Sequence, residues 1–428
     1  MAPDELVGGM RRHAVRVTPD ALRRIRGGHP WVYDGSVRQG PDRAEPGDLG
    51  VVFDGKRRFA AIGLWDPHSP IRLRVLHHGA PTPIDHHFWA VRIREAIALR
   101  APLWPPDGGG AGPEPATTGW RVVHGENDRL PGLVADRYHR CLVVKLDTGA
   151  LEPHLGPIVE GLVDGLATVG VAIDTVILRS SRTVGIPTRL LRGRRPEGPV
   201  AFREHGLQLT ADVWDGQKTG HFLDQRDNRA LVGSLTAPVS TDPSSGGGGH
   251  RADVLDVFCC TGGFSVHAAV AGARSVTSVD QSPWALEAAE RHVAANLGGA
   301  GRPPVEHRTI RGDAFEVLTD LGRRGRRFDL VVVDPPSFAS KATDRPRALA
   351  AYRRLAQLAA EVTTPGGRLF QASCSSRVEA DAFRMAVASG VAEAGRRWHP
   401  EGTSGHAVDH PIGFPQGAYL KATWGRVG

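Results

Sequence analysis

Four apolar runs in the C-terminal half of this 428-residue chain each end in residues able to bind or react. The first is Asp256-Val-Phe-Cys-Cys-Thr261-Gly262-Gly263-Phe264. Glycines directly after a strand let the backbone approach a ligand and open a helix N-terminus, although a tight strand-to-helix turn without a ligand has the same composition. The second is Asp280, about one crossover later. A carboxylate there either accepts hydrogen bonds from ribose hydroxyls or begins a helix. The third is Asp313 in Gly312-Asp313-Ala314-Phe315, an acceptor for an adenine amino group or an N-cap. The fourth is Asp334-Pro335-Pro336-Ser337-Phe338, in which two prolines fix the backbone, hold the carboxylate at the sheet's edge and set Phe338 where a flat base can stack. Cys374 closes a later run, GRLFQASCS, and is either a nucleophile or a buried strand-end thiol. The glycine pattern is not G-x-G-x-x-G, and no lysine follows it as in a phosphate-binding loop, which argues against a dinucleotide or a nucleoside triphosphate.

These residues need a scaffold that brings strand ends together. After His250, apolar strands alternate with helical segments: VLDVFCC, SVHAAVAGA, SVTSVD, ALEAAERHVAANL, FDLVVVDPP, YRRLAQLAAEVT and GRLFQASCS. That alternation predicts an α/β fold with a parallel sheet covered on both faces, and ligands of such sheets bind beyond the carboxyl ends of the strands. Upstream, HAVRV, DLGVVFD, RFAAIGLW and IRLRVLH alternate apolar and polar residues between Gly, Pro and Asp, which predicts a small β-rich domain over residues 11–80. A central α+β domain is expected over 81–200. It opens with an amphipathic helix through Phe88, Val91, Ile93, Ile97 and Leu99, continues through strands in LPGLVADRY and CLVVKLD and a helix in HLGPIVEGLVDGLA, and reaches the strand DTVILRS. The third domain is expected over 201–428. Two Gly/Pro/Ser-rich stretches, Pro105 to Gly119 and Thr236 to Gly249, read as loops or linkers, and Arg192 to Pro199 as a further break.

Single cores stop growing at roughly 250–300 residues, so more than one domain is required. Lys and Arg number 53 against 46 Asp and Glu, a net charge of +7. That balance suits a polyanionic partner, since basic side chains displace counterions from phosphates, but an arginine-rich, GC-biased composition looks the same. Four cysteines in so long a chain make neither a disulfide framework nor a zinc site, and no metal is expected. No apolar run approaches the roughly 20 residues of a membrane helix, and the N-terminus lacks the apolar stretch of a signal peptide. The expectation is a cytoplasmic protein without a membrane partner.

Together these motifs carry a resemblance. The segment from about Arg203 onward is similar to a Rossmann-like class I methyltransferase domain. More narrowly, the chain resembles the bacterial large-subunit (23S) rRNA cytosine-C5 methyltransferase family with an N-terminal PUA domain. The residues that carry it are Gly28-His-Pro-Trp31, Ser69-Pro-Ile-Arg-Leu-Arg74, Gly125-Glu-Asn-Asp-Arg-Leu-Pro-Gly132, Asp136-Arg137, Glu204-His-Gly206 and Lys218-Thr-Gly-His-Phe-Leu-Asp-Gln-Arg-Asp-Asn-Arg229. The four strand-end motifs, Ser373-Cys-Ser375 and Gly417-Ala-Tyr-Leu-Lys421 complete the series. The pairing of the KTG-x-x-LDQRDNR run with DPPSF is specific to the family; PUA-like features alone are not.

The resemblance implies S-adenosylmethionine (SAM) as cofactor and rRNA as substrate, and it allows a homodimer. It implies cofactor contacts at Asp256, Thr261, Gly262, Gly263, Phe264, Asp280 and Asp313. Lys218, Thr219, Gln225 and Arg226 either join them or brace the junction between domains. Pro335, Pro336 and Phe338 would meet the substrate base. Carbon 5 of cytosine is a poor nucleophile, and a thiolate added at carbon 6 makes it reactive, the role implied for Cys374. Asp334, expected in the same crevice, would stabilise charge at ring N3. Cys259 and Cys260 sit inside the glycine motif and read as packing. Three rivals stand beside this reading: a SAM-dependent enzyme acting on a guanine amino group, a non-catalytic RNA-binding or assembly factor, and a nicotinamide-dependent oxidoreductase.

Overall fold

The computed structural model describes residues 10–105, 115–181, 184–216, 218–237, 250–298, 303–339 and 341–428. The two stretches expected as linkers lie for the most part outside the described residues. The chain forms two compact units. One comprises Met1–Gly206, Thr210–Leu223 and Val408–Gly417; the other comprises Leu207–Leu209, Asp224–Ala407 and Ala418–Gly428.

The first unit contains two sheets. Strands β1 (Arg12–Val17), β2 (Trp31–Tyr33), β3 (Val37–Gln39), β4 (Leu49–Phe53), β5 (Phe59–Trp65) and β6 (Ile71–His78) make a six-stranded sheet in the order β2-β6-β5-β4-β1-β3. The sequence reading found its longer strands but not helix α1 (Pro19–Arg26). That helix carries legible end signals: Thr18 accepts a hydrogen bond from the Ala21 amide, Pro19 occupies the first turn, and Arg23, Arg24 and Arg26 line the last. The second sheet runs β11 (Arg189–Arg192), β10 (Thr175–Arg179), β9 (Cys141–Leu146), β8 (Leu133–Tyr138), β7 (Gly119–His124). Helices α2 (His86–Ala98) and α3 (Leu155–Ala167) pack together. In α2 the expected apolar face is buried at Phe88, Ile93 and Ile97, joined by Trp89, whereas Leu99 caps the helix and is 53% exposed. One core joins Leu49, Ile62, Leu64 and Leu76 of the first sheet to Trp89 and Ile93 of α2 and to Trp120, Leu142 and Leu178 of the second.

Three stretches that carried the resemblance meet inside this unit. Glu126 accepts hydrogen bonds from Trp31 Nε1 and Arg74 Nη1, each at 2.7 Å. Asn127 Oδ1 accepts from the Gly413 amide at 2.8 Å, and the Phe414 ring packs edge-on to Trp31 at 5.0 Å. Arg100 and Asp128 form a fully buried pair at 2.7 Å, and a second guanidinium N–H reaches the Asp409 carbonyl. A buried charge pair is tolerated only when its remaining polar atoms are also satisfied, and here the backbone supplies the extra acceptors.

The two-stranded sheet of β12 (Val200–Glu204) and β13 (Leu207–Ala211) contains the first residues of the second unit, Leu207–Leu209. There β14 (Asp253–Val257), β15 (Ser275–Asp280), β16 (Glu306–Arg311), β17 (Phe328–Val333), β18 (Thr363–Ser373), β19 (Trp398–Ser404) and β20 (Lys421–Val427) form a seven-stranded sheet in the order β16-β15-β14-β17-β18-β20-β19. The first five strands are parallel, as expected, and β20 and β19 add an antiparallel edge that was not. Helices α4 (Arg226–Thr236), α5 (Gly263–Val270), α6 (Pro283–Leu297), α7 (Ala314–Arg323), α8 (Arg345–Val362) and α9 (Ala380–Glu393) cover it. Side chains alternate along a strand, so Leu255, Val257, Val331, Val333 and Leu369 enter one core with α7, α8 and α9. On the other face Phe370 meets Phe264 of α5 at 5.7 Å.

Candidate active site

The strand order reverses between β14 and β17: the chain builds outward to β15 and β16, then returns to the other side of β14. The crevice beyond the carboxyl ends of these two strands is where open α/β sheets bind ligands. The four strand-end motifs border it.

At the end of β14, Phe258, Cys260 and Gly262 all have positive φ (65°, 49° and 77°). For the two non-glycine residues this conformation costs about 1–2 kcal/mol each. Several bonds hold the turn in place. The Cys259 amide donates to the Val279 carbonyl at 3.0 Å, the Cys260 amide to Asp280 at 2.9 Å, and the Gly262 amide to the Cys259 carbonyl at 2.8 Å. His292 of α6 contacts the Thr261 carbonyl at 2.8 Å. Position 262 requires glycine twice over, because a Cβ there would also lie 2.6 Å from the Ala289 Cβ. Below the turn, Asp256 accepts from the Ser265 amide and hydroxyl, and burial pushes its carboxyl up to about 7. Its other oxygen is buried with no hydrogen-bond partner among the described residues. Phe264 is 5% exposed and packs into the core.

Along the same edge, Asp280 accepts from the Cys260 and Ser282 amides, and Asp313 caps α7 by accepting from the Phe315 and Glu316 amides. Gln281 Nε2 donates to Asp313 Oδ2 at 2.9 Å, tying the ends of β15 and β16 together. Both carboxylates keep partial exposure and unused lone pairs.

On the other side of β14, Asp334 follows β17. Gln225 Nε2 donates to its Oδ1 at 2.8 Å, and Asn228 orients Gln225 through that residue's own oxygen. Burial, with the carboxylates of Asp224 and Asp256 nearby, pushes the Asp334 carboxyl up to about 7, against the opposing pull of Arg229 and Gln225. Cys374 follows the adjacent strand β18, and its Sγ lies 3.9 Å from the Pro335 carbonyl oxygen. Asp334, Pro335 and Cys374 therefore share one corner of the sheet edge. Phe338 packs beside Tyr352, ring centroids 5.1 Å apart, and the Tyr352 hydroxyl accepts from Ser373 at 2.9 Å. Pro336 is exposed.

The 218–229 run divides between the units. In the first, Lys218 stands 4.0 Å over the Phe222 ring, and the buried Thr219 hydroxyl donates to Asp136. In the second, Gln225 holds Asp334 as described, and Arg226 is buried with its Nε donating to Asp227 at 3.1 Å. The sequence reading quoted Arg229 and Lys421 as the ends of two family-like runs but gave neither a role. Arg229 is buried and electrostatically opposes the charging cost of Asp256 and Asp334. Lys421 is buried on β20. The signal for both was present, as cations inside family-like runs otherwise made for burial.

Comparison with known proteins follows the same division. A family described as "PUA-like domain" matches residues 15–78, and one described as "Conserved hypothetical protein 95" matches residues 242–363. A Deinococcus radiodurans protein named "Ribosomal RNA large subunit methyltransferase" is 43% identical over 426 residues, covering 96% of this chain and 97% of that protein. An Alteromonas mediterranea protein named "Ribosomal RNA large subunit methyltransferase I" is 33% identical, covering 95% and 97%. Among solved structures, a Streptococcus mutans protein assigned as a SAM-dependent methyltransferase superposes with a TM-score of 0.77 at 17% identity, over 97% of this chain and all of that one, a likeness of fold. With a PUA-like domain, a class I methyltransferase sheet and relatives matched over almost their full length, the chain belongs to the ribosomal RNA large subunit methyltransferase family.

Proposed function

We propose that this protein methylates carbon 5 of a cytidine in large-subunit rRNA, with SAM as donor, through a covalent adduct of Cys374 at carbon 6. One observation carries the reading: the Cys374 sulfur sits 3.9 Å from the carbonyl that directly follows Asp334, at the sheet's switch point.

The residues fit SAM. Asp280 and Asp313 offer acceptors for ribose and adenine, the Gly262-Gly263 turn opens α5, and Asp256 leaves beneath it a buried oxygen without a partner among the described residues. Thr261 belongs to that turn, and Gln225 reaches the cofactor side only through Asp334. Phe264 supports the turn from within the core. When bound, SAM supplies an electrophilic methyl group.

The protein's own groups prepare the base. The Cys374 thiolate adds to carbon 6; the S–C bond forms and the C5–C6 π pair becomes available at carbon 5. Asp334, with its carboxyl raised to about 7, holds a proton to donate toward ring N3 near neutral pH, where charge develops. Pro335 and Pro336 fix the backbone beside it, and Phe338 offers an apolar edge to the base. The carbon 5 proton then passes to solvent water, the C5–C6 double bond reforms as the C6–S bond breaks and the thiolate leaves, and the N3 proton returns to the Asp334 carboxylate.

The test is Cys374→Ser with labelled SAM and total rRNA. The variant is expected to bind SAM as the wild type does and to lose methyl transfer by about a thousandfold or more. Wild-type product should be 5-methylcytidine by nucleoside mass mapping. A methylated guanine, with the serine variant still active, would assign the site to amino-group transfer instead.

A further inference from the structure

Cys374 has an unexpected neighbour. Lys421 pairs with Ser373 across β18 and β20, so its side chain rises at the strand end that carries the cysteine. It is only 8% exposed, yet among the described residues no carboxylate holds it. Its Nζ donates to the carbonyl oxygens of Ser375 and Val378, the loop directly after Cys374. A buried ammonium with two neutral acceptors is costly unless a negative charge forms beside it. Burial lowers its pKa to about 8, and the Cys374 sulfur is the group that electrostatically favours its charged form.

We propose that Lys421 is the positioning residue that generates and holds the Cys374 thiolate; this rests on the reading of Cys374 as nucleophile. The amine form of Lys421 keeps two N–H bonds to the two carbonyls and has one lone pair left. The Cys374 S–H bond breaks, its proton forms the third N–H bond of Lys421, and a thiolate–ammonium pair remains. No other reactant is consumed. When the sulfur later leaves carbon 6, the same ammonium receives it. The carbonyl grip also fixes the loop that aims the sulfur.

Among the described residues, titratable groups lie near Cys374 on three packed elements. Lys421 comes from β20, Asp334 follows β17, and Tyr352 comes from α8. The Tyr352 hydroxyl is pushed up to about 12 by burial and stays neutral. Asp334 opposes the thiolate only once it ionises above about 7. Of these three, Lys421 favours the thiolate near neutral pH.

The experiment is the pH dependence of Cys374 alkylation by iodoacetamide in the full-length protein, followed by peptide mass mapping to separate it from Cys141, Cys259 and Cys260. Free cysteine titrates near 8.5, and the wild-type midpoint is expected about one unit or more below that. Lys421→Met should move the midpoint up by at least about one unit and slow alkylation at pH 7 about tenfold. Lys421→Arg, which keeps the charge, should restore most of the rate. A wild-type midpoint at or above that of free cysteine overturns the proposal, as does a folded Lys421→Met protein with an unchanged midpoint. If the methionine variant fails to fold, the wild-type and arginine profiles decide. The readout needs no rRNA, so a failed Lys421 assignment is distinguishable from a failed methylation assay.

Discussion

At the scale of single residues, the proposed reaction asks for two groups in opposite protonation states: Cys374 would lose a proton, and Asp334 would keep one. Burial and the neighbouring Asp224 and Asp256 carboxylates raise Asp334 to about 7. A carboxyl raised on folding favours the folded state below its unfolded value near 4, and that advantage is lost as pH rises through about 7. Activity needing the acid form should fall over the same upper window. The pH profile of kcat/KM for rRNA methylation is therefore expected to have an alkaline limb near pH 7 belonging to Asp334. Asp334→Asn should lower kcat by about a hundredfold or more and remove that limb, while SAM affinity by calorimetry changes less than about threefold. An asparagine variant with the same alkaline limb would assign the titration to another group. Asp334 was legible in the sequence because two prolines follow a buried strand. Its raised pKa was not, since it comes first from burial in the folded sheet edge and then from carboxylates that arrive from residues 224 and 256.

At the scale of elements, legibility followed burial. The parallel strands β14, β15 and β17 and the second half of β18 are largely buried and appear in the sequence as mostly apolar runs, whereas the parallel edge strand β16, Glu306-His-Arg-Thr-Ile-Arg311, is largely accessible and does not. The strand Trp398–Ser404 did not, because it is an edge strand with Pro400 and mostly accessible side chains. The strand β20 beside it was not read either, although its other partner β18 was, and so Lys421 had no visible place beside Cys374, which lies far from it in sequence. The glycine turn was legible as composition, but its reason is geometric. Gly262 takes a φ of 77° with Ala289 pressed against it. Gly262→Ala combines a left-handed strain of about 1–2 kcal/mol with a 2.6 Å contact that α6 must move to relieve. SAM affinity is expected to fall about tenfold or more by calorimetry, and the melting midpoint should fall with it. Wild-type affinity in a folded Gly262→Ala protein would detach this turn from the donor site.

At the scale of the whole molecule, the net charge of +7 overstates what the N-terminal sheet offers to phosphates. The first domain carries Arg11, Arg12, Arg23, Arg24, Arg26, Lys56, Arg57 and Arg58. The structure pairs four of them within the sheet's own surface: Arg23 and Arg24 with Asp20, and Arg26 and Arg58 with Asp54. Such exposed pairs add little stability, but they cancel charge locally, which no count of residue types reveals. Arg11, Lys56 and Arg57 are exposed, with no carboxylate partner among the described residues. If this surface helps hold rRNA, these three should dominate the counterion release. Each phosphate contact contributes about 0.7–0.9 to the slope of log K against log salt. The double variant Lys56→Ala, Arg57→Ala in the full chain should therefore reduce the slope for a 23S rRNA fragment by about 1.5, while Arg23→Ala, Arg24→Ala should change it by less than half as much. Filter binding over a salt series measures both. Equal slopes for the two variants would mean that the pairing with Asp20 does not survive contact with RNA, and an unchanged slope in both would remove this face of the sheet from the rRNA interface.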